Sequence, residues 1–158
     1  MSKQEYIVFS LSGEEFGLEI KAVREIVESQ KIVKLPQSSG LLRGIICLRE
    51  EVIPVVDLRK HLYDQITENP ETKQIIIFDL VDCFVGILVD NVIEVLALPS
   101  QMIVPLPSFL GQMGVSAGLH GIGRLSGRLI ILLKLTDLFN SQEKNLFKKS
   151  AKEGGGKR

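Results

Sequence analysis

Apolar residues along this chain fall in short runs that partly alternate with polar ones and are broken by Gly, Pro, Ser or acidic residues. That pattern predicts strands rather than long helices. Residues 5–11 and 15–20 read as two strands joined by a turn at Ser12-Gly13-Glu14. A short helical turn over 21–23 leads into a strand at 24–28, which Leu35-Pro36 stops, and 37–42 holds another short turn. Residues 44–48 and 52–56 form a hairpin around Arg49-Glu50-Glu51. Pro54 cannot donate to a ladder, so its strand is expected at a sheet edge or at a bulge. Asp57 is a good N-cap for a short helix over 57–62, and the polar stretch 63–72, with Pro70, reads as a linker. Further strands are predicted at 74–80, 84–89, 92–96, 119–125 and 128–134, with a Pro/Gly/Ser-rich loop at 105–118. Thr136-Asp137-Leu138-Phe139 opens a terminal helix, about 136–147, and 148–158 reads as a disordered tail.

The pattern occurs twice. Phe9-x-Leu11, Gly17, Val23 and Glu25 return as Phe78-x-Leu80, Gly86, Val92 and Glu94, at a spacing of 69. Gly44-Ile45, Leu48 and 52–58 return as Gly121-Ile122, Leu125 and 129–135, at a spacing of 77. A unit this long is no solenoid repeat and suits two similar modules, about 6–63 and 74–139. Five short strands per copy with tight turns predict an all-β chain in which each half closes into a small barrel, removing exposed sheet edges. So few residues make a marginal core, so the halves are expected to bury apolar surface against each other. Ile7, Phe9, Ile20, Ile45, Val55, Ile77, Leu80, Val89, Ile130 and Leu132 are the expected core.

Composition narrows the function. With 19 basic and 19 acidic residues, no Trp and two Tyr, no broad field or stacking surface favours nucleic acid. The longest apolar run, 129–133, is too short to cross a bilayer, and the start lacks a signal-peptide core, so a cytoplasmic protein is expected. Cys47 and Cys83 sit among Ile, Leu, Phe and Val and are expected to be buried core residues; His61 and His120 are isolated, so no metal site is expected. Gly121-Ile122-Gly123 lacks the helix that a dinucleotide fingerprint requires. Asp79 and Asp82 suit a hairpin turn, and Asp90 ends a strand. Without a catalytic set, a binding module is favoured. The polar residues that invite a further role are Arg49, on a hairpin tip, and Glu25, inside the apolar run 23–27.

From Leu42-Arg43-Gly44-Ile45-Ile46-Cys47-Leu48-Arg49 through Val52-Ile53-Pro54-Val55-Val56-Asp57-Leu58-Arg59, the chain resembles the CheW family of chemotaxis coupling proteins. Tyr6-Ile7-Val8-Phe9, Phe16-Gly17-Leu18, Val23-x-Glu25-Ile26, Val85-Gly86-Ile87 and Gly121-Ile122-Gly123-Arg124-Leu125 are similar to it in the same order. The resemblance implies two five-stranded SH3-like barrels around a shared core in one domain, 1–147. It also implies a non-enzymatic adaptor, without cofactor, that links the cytoplasmic tip of methyl-accepting chemoreceptors to the regulatory domain of the histidine kinase CheA. Under it, Arg49 falls on the motif arginine and Glu25 on the motif glutamate, while Val23 and Gly44 fall on positions associated with partner contacts. A coupling protein of a twitching or other non-flagellar pathway is the near alternative, and a small nucleic-acid-binding barrel or an enzyme the remote ones. The family usually carries Gly after Leu-Arg, where this chain has Glu50. Either the turn type differs there, or the charge around Arg49 is altered.

Overall fold

The computed structural model describes residues 3–36, 40–80, 83–109 and 118–155, the last four as backbone. Asp82, residues 37–39 of the expected turn and residues 110–117 of the expected loop lie outside the described residues. The chain divides into two units, one of residues 1–22 and 91–139, the other of 23–90 and 140–158.

Unit 1 contains β1 (Lys3–Leu11), β2 (Glu14–Glu19), β8 (Asn91–Pro99), β9 (Ile103–Val104), β10 (Leu119–Leu125) and β11 (Arg128–Leu133), in the sheet order β8-β1-β2-β11-β10-β9. β8 and β9 are one stretch of chain bent at a 3-10 turn over Ser100–Met102, so the same segment lies at both ends of the sheet and closes it. Tyr6, Val8, Leu98, Ile130 and Leu132 fill its core, and Phe9 stacks on Phe16 with centroids 5.7 Å apart. Ile130 is fully buried, so Ile130→Ala is expected to cost about 2–5 kcal/mol, the range for a large-to-small core change. Urea unfolding checks this; a loss below about 1 kcal/mol would mean that the Ile130 site relaxes around the deletion.

Unit 2 contains β3 (Val23–Glu28), β4 (Leu42–Leu48), β5 (Glu51–Asp57), β6 (Gln74–Asp79) and β7 (Phe84–Val89), in the order β3-β6-β7-β5-β4. Beyond β3 the chain reaches Val33, which bridges Ile45 of β4 and closes this barrel. Ile46, Ile53, Val55, Ile75, Ile77 and Leu88 form its core. α1 (Leu58–Tyr63) follows β5, and α3 (Ser141–Gly155) lies along β4 and β5 with Phe147 fully buried. The helix therefore runs past Phe147 into the stretch expected to be disordered, carrying Ser150 into a buried position. It is separate from α2 (Leu135–Leu138), so the single expected terminal helix is two.

The repeat governs the two sheets residue by residue. In the parallel pairs, Leu132 faces Gly17 and Val55 faces Gly86, at the 77 and 69 spacings. One bulge falls between Val23 and Glu25 opposite β6, and its counterpart places Val92 and Glu94 opposite β1. What the repeat does not follow is the division into units. Each barrel takes its first hairpin from the other copy: β1–β2 belong with β8–β11, and β6–β7 with β3–β5.

Several expectations change. Ile45 is only half-buried while Ile46 is buried, because β4 alternates with Leu42, Gly44 and Ile46 inward and Arg43, Ile45 and Cys47 outward. The same alternation turns Cys47 outward to an exposed position, and Cys83 is half-buried in a turn rather than a strand. Ile20 is 37% exposed, since the strand ends at Glu19 and Ile20 opens a 3-10 turn. β5 is interior, not an edge. Pro54 is tolerated there for a geometric reason. The amide and carbonyl of Ile45 are bonded to Val33, at 2.9 and 2.8 Å, so they point away from β5. Pro54, paired with Ile45, then turns its nitrogen away from β4, toward the side where pairing with β7 begins only at Val55.

Candidate functional site

The site is built at the tip of the β4–β5 hairpin. Leu48 pairs with Glu51, leaving Arg49 and Glu50 as the two central residues, with φ of +49° and +70°. Positive φ at both is the type I′ geometry, whose twist matches that of the flanking strands. The chain uses this turn twice more, at Ser12-Gly13 (φ +54° and +81°) and Ser126-Gly127 (φ +51° and +80°). In those turns glycine takes the second position; here Glu50 does. The turn type is therefore kept without the residue that makes it easy, at a cost of about 1–2 kcal/mol for a side chain in the left-handed region. Of the two readings of the missing glycine, the altered charge is the one the geometry leaves.

β3, at the end of its sheet, supplies the facing charges. Its alternation exposes Arg24, Ile26 and Glu28 and half-buries Val23, Glu25 and Val27. The Glu25 carboxylate, 25% exposed, accepts a hydrogen bond from the Arg49 guanidinium, 61% exposed. Beside it, Arg24 donates to Glu51 at 2.8 Å and lies over the Phe84 ring of β7, 4.1 Å from its centroid. Two neighbouring residues of β3 are thus tied to the hairpin by ion pairs of opposite polarity. Each exposed pair contributes only about 0–1 kcal/mol and the cation–π contact about 0.5–1 kcal/mol. Their effect is to fix the tip against the barrel rather than to stabilise it greatly. Glu50 is exposed and has no partner among the described residues.

Sequence reasoning singled out Arg49 and Glu25, and the structure joins them; Val23 stands two residues before Glu25 on the same strand. Gly44 is different. It is buried, has φ +148°, and a Cβ there would lie 2.2 Å from the Val33 carbonyl oxygen, so its bare backbone is packed against its own chain. Arg24, Glu51 and Phe84 were missed: alternation along β3 puts Arg24 on the outer face, but only the three-dimensional register brings β7 and the hairpin beneath it.

Unit 1 repeats the motif with different residues. Glu94, the counterpart of Glu25, bonds Arg128 at 2.7 Å, and Arg128 also donates to Glu15 at 3.2 and 2.7 Å. Those bonds, Glu15 first and then Glu94, raise the Arg128 pKa above its ordinary value and hold it charged. Unit 1 also leaves Ile93 and Val95 of β8 and Leu129 of β11 exposed. His120 bonds Asp137 at 2.8 Å and Asp90 pairs with Lys73 at 3.5 Å, so both of these groups have a local partner. Among the described residues no three His, Cys, Asp or Glu converge on a metal-sized point, and no helix is long and apolar enough to cross a membrane.

Comparison with known proteins agrees with this geometry. A family model described as the CheW-like domain matches residues 5–143. The chain is 32% identical over 149 residues to the chemotaxis protein CheW of Klebsiella aerogenes, covering 94% of this chain and 89% of that protein. It is 23% identical to Protein PilI of Pseudomonas aeruginosa, over 73% of this chain and 65% of that one. The crystal structure of the scaffolding protein TtCheW from Thermoanaerobacter tengcongensis superposes with a TM-score of 0.76 at 32% identity, covering 90% of this chain and 92% of that one. Two barrels with one strand order, the Val-x-Glu strand tied to the Leu-Arg hairpin and the match over nearly the whole chain lead to one conclusion: this chain belongs to the CheW family.

Proposed function

We propose that the chain is a cytoplasmic, non-enzymatic adaptor that couples the cytoplasmic tip of methyl-accepting chemoreceptors to the regulatory domain of the histidine kinase CheA, with the tip around Arg49 and Glu25 as one of its docking surfaces. The observation that supports this most directly is the pairing of those two motif residues on a rigid hairpin whose energetic value to the fold is small. Arg is suited to such a surface because its planar fork bonds carboxylates or carbonyls while its stem packs. Val23, half-buried beside Glu25, extends the same surface. Gly44 serves it indirectly, by shaping β4. The exposed Ile93, Val95 and Leu129 of unit 1 are apolar surface of the kind that protein partners cover.

Arg49→Ala is expected to leave the melting temperature nearly unchanged and to weaken binding to a CheA regulatory domain or a receptor hairpin fragment by about 1 kcal/mol or more. Arg49→Lys is expected to recover little of it, since Lys is a point charge without the fork. Calorimetric titration against both partners is the test; unchanged binding to both would return Arg49 to an ordinary solvated charge. The similarity to PilI favours a second reading, an adaptor of a non-flagellar chemosensory pathway. Capture of the native kinase and receptors from cells, followed by their identification, separates the two.

A further inference from the structure

Glu50 is costly to the fold and returns nothing to it. Its φ of +70° is a conformation that glycine takes freely, and the two sister turns use Gly13 and Gly127 at the same position. Neither of those glycines would meet another atom if given a Cβ, so turns of this type in this chain leave room for a side chain but do not require one. The four neighbouring charges cancel in pairs, Arg24 with Glu51 and Arg49 with Glu25. Glu50 is left as one exposed, uncompensated carboxylate at the outermost point of the hairpin, without a partner among the described residues. A strained residue with no side-chain partner among the described residues points to a contact outside its own chain.

We propose that Glu50 is a specificity-determining residue of the hairpin-tip interface and that it receives a lysine or arginine side chain of the docked protein. This rests on the reading of the tip as a docking surface. A basic partner face would be steered in and held beside Arg49. A face presenting a carboxylate at that point would be repelled by Glu50, and a protein with glycine there would not discriminate between the two. The residue would thus match this adaptor to its own partner rather than add general affinity.

The test titrates the full chain and four variants, Glu50→Gln, Glu50→Lys, Glu50→Gly and Arg49→Ala, against the CheA regulatory domain and the receptor hairpin fragment of the same organism. Each is measured at about 0.05 M and about 0.5 M salt, below and above the range where exposed charges are screened. Glu50→Gln is expected to weaken one of the two complexes about threefold at low salt and Glu50→Lys about tenfold, with both differences fading at high salt. Glu50→Gly is expected to raise Tm by about 2–4 °C, through release of the left-handed strain, while weakening binding as the glutamine variant does. A stability gain joined to an affinity loss is a signature that a purely structural residue would not give. If Arg49→Ala weakens binding but both charge variants at position 50 bind like the parent, the tip docks and the inference about Glu50 is overturned. Tighter binding by Glu50→Lys overturns it as well. If Arg49→Ala binds both partners unchanged, or the parent binds neither, the docking reading itself fails and this inference with it.

Discussion

Replacing Gly44 with alanine is expected to destabilise the protein by about 3 kcal/mol or more, and to abolish partner binding only because the barrel opens. Two costs combine. A φ of +148° is a conformation that L side chains rarely adopt, worth about 1–3 kcal/mol. The added Cβ would also stand 2.2 Å from the Val33 carbonyl oxygen and 2.8 Å from its carbon, which are backbone atoms and cannot swing aside. Relief would require Val33 to leave Ile45, breaking the two hydrogen bonds of 2.8 and 2.9 Å that close the barrel of unit 2. The repeat supplies an internal control. Gly121 has φ +150°, nearly the same backbone, but its nearest atom is the Val104 carbonyl oxygen at 3.2 Å. Gly121→Ala should therefore carry the conformational cost and little of the clash, about 1–3 kcal/mol. Denaturant midpoints of the two variants give the comparison. Equal losses would show that strain alone sets the cost. A Gly44→Ala protein with parental stability but no binding would make Gly44 a contact residue after all.

The pairs of residues that were legible in the sequence are those on which backbone geometry makes a demand. Matched Gly44 and Gly121 mark the same bulge, matched Gly17 and Gly86 the same close parallel pairing, and matched Val23-x-Glu25 and Val92-x-Glu94 the same irregularity. That the two sheets share one strand order followed from these. The exchange of first hairpins did not, because a repeat says which strands are alike and not which copy each one pairs with; the local pattern of β1 and β6 satisfies either arrangement. Errors of burial cluster on β4, where Ile45 to Leu48 are all apolar and the sequence does not show which alternate set faces inward: Ile45 for Ile46, and Cys47 turned outward. The tail was misread for a different reason. Rich in Lys and Gly, 148–158 has the composition of a disordered segment, yet Phe147 and Ser150 anchor the helix from one side, a tertiary effect that composition does not record. At the site, Glu25 and Arg49 were legible as polar residues in unusual places. The Arg24–Glu51 pair over Phe84 was not, since nothing along β3 indicates what lies beneath its outer face.

Asp57→Ala is expected to cost about 3–5 kcal/mol, as much as losing a large core side chain, although Asp57 stands in the most recognisable stretch of the sequence and touches no candidate contact. The carboxylate is fully buried. Its Oδ2 accepts from Arg43 Nη1 at 3.0 Å and from the Thr67 amide at 2.8 Å, and its Oδ1 from the Thr67 hydroxyl at 2.6 Å and the Lys60 amide at 3.3 Å. One side chain thus caps α1, holds the linker that precedes β6, and neutralises a guanidinium whose side chain is only 17% exposed. Alanine would leave that guanidinium without its counter-charge, holding only the Thr67 carbonyl at 2.8 Å, and the Thr67 amide unmet, and the penalty is mainly that of stranded polar groups rather than of the bonds themselves. Pairing the change with Arg43→Met should therefore recover part of the loss, giving a coupling of opposite sign to simple additivity. Asp57→Asn, which keeps the shape but turns an amide N–H₂ toward a donor, should fall between alanine and the parent. A double-mutant cycle by urea unfolding measures all of this, and an Asp57→Ala cost below about 1 kcal/mol would sink the account. The repeat explains why only one barrel depends on such a hub: position 134, the counterpart of Asp57, is Lys, which gives α2 no side-chain cap, and that helix stops after Leu135–Leu138. A family motif residue can therefore serve the barrel while lying apart from the Arg49–Glu25 pair.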